Sequence, residues 1–518
     1  MYINRLLKRQ ITFLLVVTPP VAAWILVCAF YIRVPGEPLL LTMWWAGHNT
    51  LTTPPLYLSL LGGIAGGGGL AALFLHQFKS AFKGARFRKH LRGVKIATDK
   101  KLSRQTRDGK SQQITVANIP LPTNIENLHL LLAGGTGSGK STIINEICKC
   151  ICIRRERYFV IDPGGEMLSK FYREGKDKIL NPYDNRTAGW SFFNEIRHEY
   201  DFDRYSHALV PKSNSSDAEE WLGYGRLLLR EVSKKLWSQD NADITELNYW
   251  CCNAPPEELF AFVKGTEAES LFGGNEKGSK ALQSARFVLS DKLSPHTKMP
   301  DGDFALRDWL ADPNAGNLFI TWREDMVEAL RPLIAAWTDS LFVSILSLPP
   351  DPNRRIWGLM DELASLGKLE SLEDALTKGR KNGFAGIGAI QSTSQLADLY
   401  GKEGAQTLRS CFSSLVALRV SRTDPETAED ISKALGLQEV ERDRDSSSRG
   451  KGMRSSSSIE VKEERIISPS ELMALPDLTG YVSLVGDYPV ARFETQYVQF
   501  KKRYPAFVER APMFAEVR

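Results

Sequence analysis

The chain opens with two long uncharged stretches, then changes rhythm to short apolar runs separated by helix-like segments. From Ile11 to Ile32 (ITFLLVVTPPVAAWILVCAFYI) there are 22 residues and no charge. At helical rise that is about 33 Å, enough to cross a bilayer core. Pro19 and Pro20 predict a kink, which membrane helices tolerate. A second uncharged stretch runs from Pro38 to Phe78, with its helix expected over 55–78. Gly62/Gly66 and Gly63/Gly67, each four apart, permit close approach of another helix. Trp44, Trp45 and Tyr57 suit the membrane–water boundary.

Basic residues orient these spans. Arg5, Lys8 and Arg9 precede the first, and 12 Lys/Arg against two Asp lie between Lys79 and Lys110. The intervening loop holds only Arg33 and Glu37. The positive-inside rule then predicts a multi-pass protein with both flanks, and the bulk of the chain, in the cytoplasm. The first run is long for a secretory signal, and no clear small-residue cleavage site follows it. The basic stretch is read as a topology signal resting on anionic lipid rather than as a nucleic-acid contact.

Past residue 79 the pattern predicts strands at Leu128–Leu132, Tyr158–Asp162, Asn317–Trp322, Ile356–Met360, Phe384–Ile390, Ser414–Val420 and Tyr481–Val485. Several are continuous apolar runs, as expected for a parallel sheet covered on both faces, and helical segments lie between them. The fold class expected is therefore α/β, doubly wound. Residues 195–300 break the rhythm: they are rich in Glu, Ala, Leu, Lys and Trp, carry helical periodicity (WLGYGRLLLREVSKKLW) and lack clear strands. They predict an inserted all-α domain with Trp221 and Trp237 in its core. The expected division is a transmembrane domain at 1–78, a nucleotide-binding domain made of 79–194 and 301–518, and the insertion at 195–300. Residues 441–465 (ERDRDSSSRGKGMRSSSSIEVKEER) are Ser-rich and charged, which predicts a mobile solvated loop.

Composition adds little. With 518 residues, 43% hydrophobic and 25% charged, the chain has ample material for several cores, and a net charge of +5 selects no partner. Seven cysteines form no disulfide framework and no CxxC pair, which points to a reducing compartment. Cys148, Cys150 and Cys152 are read as buried small hydrophobes rather than as metal ligands.

The chemistry is concentrated in LLLAGGTGSGKSTIINEI. Gly134, Gly135, Thr136, Gly137, Ser138, Gly139, Lys140 and Ser141 satisfy G-x-x-x-x-G-K-[ST] between a strand candidate and a helix candidate starting near Thr142. That context defines a phosphate-binding loop. The glycines let backbone N–H groups wrap a phosphate, Lys140 reaches the β- and γ-phosphates of ATP, and Ser141 ligates Mg²⁺. IWGLMDE (356–362) is an apolar strand ending in two carboxylates. Asp361 is assigned to the magnesium shell and Glu362 to polarising the attacking water. An Asp-Glu pair of this kind suggests a RecA-like ATPase rather than a kinase or GTPase. FAGIGAIQ (384–391) ends in Gln391, a candidate γ-phosphate sensor. Arg380, in TKGRKNG, is a candidate arginine finger for a neighbouring subunit, with Arg409 and Arg422 as rivals. The alternative for Arg380 is a cationic helix C-terminus capped by Gly383.

With these residues in view, the chain resembles the type IV coupling proteins of bacterial conjugation, of the TrwB/TraD kind. The resemblance covers nearly its whole length. It rests on the two spans, GGTGSGKS (134–141), VIDPGGEMLSKF (160–171), the helical insertion, MDELASL (360–366) and AIQSTSQL (389–396). It implies a homo-hexameric RecA-like ring in the bacterial inner membrane, in contact with the lipid bilayer, that uses ATP and Mg²⁺. It further implies partners: single-stranded DNA, with double-stranded DNA as a second form, bound without sequence preference; relaxase and relaxosome proteins, received by the helical insertion; and type IV secretion channel components. The chain ends soon after its last strand candidate, without the long acidic tail that some TraD-like members use for docking. Three other readings compete: an FtsK/SpoIIIE-like translocase, which would carry more spans and a C-terminal winged helix; a channel-assembly ATPase that ignores DNA; and a nucleotide-gated docking platform, for which the presence of Glu362 is unfavourable.

Overall fold

A computed structural model describes residues 5–36, 38–79, 89–109, 112–213, 215–274, 278–448 and 454–511. It forms two units: Met1–Leu91 with Glu439–Lys462, and Arg92–Gln438 with Glu463–Arg518.

In the first unit, α1 (Arg5–Val27) continues into a wider turn at Cys28–Ile32, α2 is Leu39–His48 and α3 is Pro54–Lys79. The spans Ile11–Ile32 and Pro54–Phe74 are long and apolar enough to cross a membrane. Pro19 and Pro20 lie within α1 and deprive the carbonyls of Leu15 and Val16 of their helical donors. Those carbonyls face α3. A Cβ on Gly67 would meet the Leu15 oxygen at 2.7 Å, and one on Gly63 would meet Pro20 Cα at 2.3 Å. Gly62 and Gly66 face open space, so only one of the two glycine pairs seats the helices. The short helix α2 was not expected from the sequence. Strands at Leu437–Ser448 and Arg454–Arg465 replace the expected mobile loop and join Lys89–Gly93 in a three-stranded sheet. The Ser-rich composition argued against a core, but backbone pairing asks nothing of the side chains.

The second unit is built on a ten-stranded sheet. Its strands are β1 (Ile96–Thr98), β2 (Leu130–Ala133), β3 (Arg157–Pro163), β4 (Lys178–Leu180), β5 (Leu318–Trp322), β6 (Ile356–Met360), β7 (Phe384–Ile390), β8 (Ser414–Leu418), β9 (Thr479–Ser483) and β10 (Val490–Glu494). The spatial order is β1-β10-β9-β8-β2-β7-β6-β3-β5-β4. The seven strands from β8 to β4 are parallel, whereas β9 runs antiparallel to both β8 and β10. Every residue of β2, β5, β6 and β7 is buried, which explains their unbroken apolar runs. All seven expected strands are present. β1, β4 and β10 were missed because they are short or lie near the sheet edge, where little apolar signal is needed.

Between β4 and β5 the described residues form helices, turns and loops apart from two isolated bridges, Asp184–Glu509 and Trp190–Phe304. The Trp190–Phe304 bridge closes the neck of the insertion, and a Cβ on Gly189 would meet the Asp301 carbonyl at 2.1 Å. Trp221 and Trp237 are not core residues; they are 43% and 42% exposed. Trp237 instead covers the aromatic edge made by Phe193 and Phe202. The cysteine reading also needs correction. Cys148 is buried and Cys150, turned to the other side of the helix, half-buried; Cys152 returns to the face of Cys148 but lies in the last turn and is exposed. The third long apolar helix, Glu324–Ser347, is mostly buried, its Leu330, Leu333 and Trp337 lying in the core.

His129 precedes β2 and is buried. Its Nδ1 accepts the Gly386 N–H at 2.8 Å, so its Nε2 donates to the Leu376 carbonyl at 2.6 Å. Burial pushes its pKa down to about 4, and that of the unpartnered His296 to about 3. Both rings are neutral when folded, so the unfolded chain binds protons first as pH falls below about 6.5. Their stabilising contribution is therefore complete above that pH and is lost toward pH 4. Chemical denaturation should give a lower unfolding free energy at pH 5 than at pH 7, with about 2 kcal/mol from His129 alone, and His129→Gln should flatten the slope. A flat profile in the wild type would contradict this.

Candidate nucleotide site

Three parallel strand tips bring the predicted residues together. β2 ends at Ala133 and leads into Gly134–Gly139, and Lys140 opens a helix that runs to Arg154. β6 delivers Asp361 and Glu362, and β7, paired to both, delivers Gln391. The loop is fastened to its neighbours: Gly134 N–H donates to Ile390 O at 3.2 Å, Gly135 N–H to Arg419 O at 2.8 Å, and Leu478 N–H to Ser138 O at 3.0 Å. Gly137 and Gly139 take φ of 73° and 115°. Nothing lies within 4 Å of a Cβ built at Gly137, whereas one at Gly139 would meet Leu478 Cδ2 at 2.9 Å.

The Lys140 ammonium folds back onto its own loop, donating to Gly134 O at 2.6 Å and Gly135 O at 3.3 Å. Burial lowers its pKa, and the charges of Glu362 and Asp361 oppose that fall. Burial raises both carboxyls in turn, and Lys140 draws each back down. Neither Glu362 oxygen has a hydrogen bond of good geometry, although the Gln391 amide is near enough to favour the ionised form. The Thr136 hydroxyl donates to Gln391 Oε1 at 2.9 Å, so the loop and the β7 tip are latched together. Ser141 is exposed and Thr142 half-exposed at the mouth.

Asp162, at the tip of β3, stands beside Asp361. Burial pushes its pKa up to about 7, with the charges of Asp361 and Glu166 adding to the rise, while its bond from Leu168 N–H (2.7 Å) opposes it. No mechanistic role was foreseen for Asp162; the VIDPGG run was its only signal. Leu478, at φ 60° against the loop, had no signal at all, since leucine disfavours that conformation.

Arg380 lies elsewhere. It is exposed in a single turn before β7, whose 7 residues set it roughly 23 Å from the Gln391 end. Gly383 caps that turn at φ 91°. Arg409 is engaged by Asp430 at 2.8 Å. Arg422 is exposed beyond β8, on the side of the sheet where the phosphate loop sits.

The cradle fits a phosphate: a buried ammonium satisfied only by its own loop, an open Gly137 and the first turn of a helix converge there. Among the described residues no cluster of three His, Cys, Asp or Glu could hold a metal. The oxygens at hand, the Asp361 carboxylate and the Ser141 hydroxyl, suit magnesium, which takes one or two protein oxygens and completes its shell with phosphate and water.

Residues 113–496 match the family described as type IV secretion-system coupling protein DNA-binding domain. The chain belongs to this family. It is 29% identical over 414 residues to the coupling protein TraD of Escherichia coli K12, covering 76% of this chain and 56% of TraD, so it spans little more than half of that relative. The conjugal transfer protein TraG of Agrobacterium fabrum is 31% identical over 36% of this chain and 29% of its own length. Among solved structures, the unbound conjugative coupling protein TrwBdeltaN70 superposes with a TM-score of 0.77 at 54% identity, over 83% of this chain and 98% of that one. TrwB in complex with ADP and Mg²⁺ gives a TM-score of 0.76 at 54% identity, over 82% and 99%. A coupling-protein fold accounts for both the α/β nucleotide-binding sheet and the all-α insertion.

The Thr136–Gln391 latch is testable in isolation. A double-mutant cycle of Thr136→Val and Gln391→Ala should return a coupling of about 0.5–1 kcal/mol in unfolding free energy. Strict additivity would mean that the two side chains do not interact in solution.

Proposed function

We propose that the protein is a membrane-anchored ATPase that couples the relaxosome to a type IV secretion channel and drives single-stranded DNA through it during conjugation. The observation that carries this reading is the convergence of Lys140, Asp361, Glu362 and Gln391 at adjacent strand tips, in a chain of the coupling-protein family. TrwB's complexes with ADP and Mg²⁺ and with a non-hydrolysable ATP analogue support ATP and Mg²⁺ as the ligands here.

In this reading Gly134–Ser141 and Thr142 cradle the phosphates, and Lys140 leaves the Gly134 carbonyl for the β- and γ-oxygens. Ser141 and Asp361 would hold magnesium, which when bound neutralises charge on those oxygens. Glu362 accepts a proton from the attacking water. Its raised pKa makes it a better base than a solvated carboxylate at neutral pH. Gln391 reports the γ-phosphate to the Thr136 latch. Arg380 sits at the opposite end of its own sheet, so as a finger it serves a neighbour's site, and a homo-hexameric ring supplies that neighbour. The two apolar spans anchor the ring in the bacterial inner membrane with the second unit cytoplasmic. The insertion at about 195–300 receives relaxosome proteins, and the ring meets the secretion channel.

Lys140→Ala should abolish ATP hydrolysis and DNA transfer while leaving membrane insertion intact. Glu362→Gln should keep ATP binding and lose about 10²–10⁴-fold in turnover. Steady-state hydrolysis with and without single-stranded DNA, beside equilibrium binding of labelled ATP, reads both. A hydrolysing Lys140→Ala protein would refute the site, and turnover indifferent to DNA would favour a channel-assembly ATPase.

A further inference from the structure

The matched family region stops at residue 496. Beyond it the chain crosses the short helix Glu166–Phe171 as a strap with no regular structure. The strap is pinned at both ends. Thr495 N–H donates to Leu478 O at 2.8 Å, and the N–H groups of Arg503 and Tyr504 donate to Ser169 O at 2.8 and 3.2 Å. Midway, the Phe500 ring lies 5.4 Å from that of Phe171. A cleft of about 490 Å³ opens along the strap, lined by Glu166, Lys170, Tyr497, Phe500, Lys501 and Lys502 among others.

The lining has a definite chemistry. Three cations face one carboxylate, and that carboxylate is already engaged, since Glu166 pairs with Lys170 at 3.3 Å. Lys501 and Lys502 are exposed and have no ion pair among the described residues. Tyr497 is 72% exposed beside them. An open aromatic ring next to unpaired lysines suits a polyanion that carries flat bases: the ring stacks a base while the ammonium groups take phosphates.

We propose that this cleft is a contact site for single-stranded nucleic acid, with Lys501 and Lys502 on the phosphates and Tyr497 under a base. The inference rests on the reading of the chain as a DNA-driven ATPase and adds to it a site and a route of coupling. The strap begins on Leu478, whose N–H holds Ser138 of the phosphate loop and whose side chain packs on Gly139. It ends on the helix that follows Asp162, the carboxylate beside Asp361. A strand seated on the strap therefore pulls on both sides of the nucleotide site.

The test uses the full chain in detergent and a fluorescent oligo-dT, followed by anisotropy across a salt series. The Lys501→Ala/Lys502→Ala double variant should bind about tenfold or more weakly, and its slope of log affinity against log salt should fall by about 1.4. Tyr497→Ala should lose about five- to a hundredfold, whereas Tyr497→Phe, which keeps the ring, should bind as the wild type does. Basal hydrolysis should be unchanged in all of them, with DNA stimulation displaced to higher DNA concentration. Wild-type affinity and salt slope in both alanine variants would overturn the proposal. So would weakened ATP binding with DNA binding intact, which would assign the cleft to the nucleotide. A wild-type chain that binds no single-stranded DNA would instead overturn the function on which the proposal rests.

Discussion

A buried ammonium must be given oxygens, and the way Lys140 finds them organises the second unit. It bonds to the carbonyls of Gly134 and Gly135, in the field of Asp361 and Glu362. Those carboxylates are themselves raised by burial and held down by the lysine. Each charge is tolerable only because the others are present, so the cluster is stable as a set and poorly satisfied in its parts. A triphosphate relieves that condition: it offers Lys140 better acceptors and brings its own cation for the carboxylates.

The sheet exists around this constraint. Seven parallel strands place their C-terminal ends on one edge, where the glycine loop, Gln391 and the Asp361–Glu362 pair meet without any long connection. The antiparallel strand β9 and its lead-in through Leu478 buttress the loop from the side, and the strap after β10 returns across the far side of the same edge. The glycine-seated pair α1–α3 follows a separate logic, in which the carbonyls left over by two prolines are met by a glycine of the partner helix.

Much of this was legible in the sequence because the site is local. The phosphate loop, the Asp-Glu pair and Gln391 each sit at the end of an apolar run, and a parallel sheet gathers such ends automatically. What was not legible depended on tertiary context. Trp221 and Trp237 read as core by composition yet lie at the surface, because the insertion fills its interior with residues such as Leu229, Val232 and Leu236. The Ser-rich segment read as a loop because backbone pairing leaves no side-chain pattern. Leu478 gave no sign of its part and Asp162 only the VIDPGG run, since one acts through a strained backbone and the other through a neighbour on the next strand. The glycine pairs were visible, but only geometry selects Gly63 and Gly67 over Gly62 and Gly66.

Everything at this edge depends on Lys140 serving as a phosphate ligand. The most direct measurement is a structure of the full chain with Mg²⁺ and a non-hydrolysable ATP analogue. In it the Lys140 ammonium should have left the Gly134 carbonyl for the β- and γ-phosphate oxygens, with Glu362 facing the terminal phosphate. A nucleotide seated in the loop while Lys140 keeps its 2.6 Å bond to Gly134 would contradict that role.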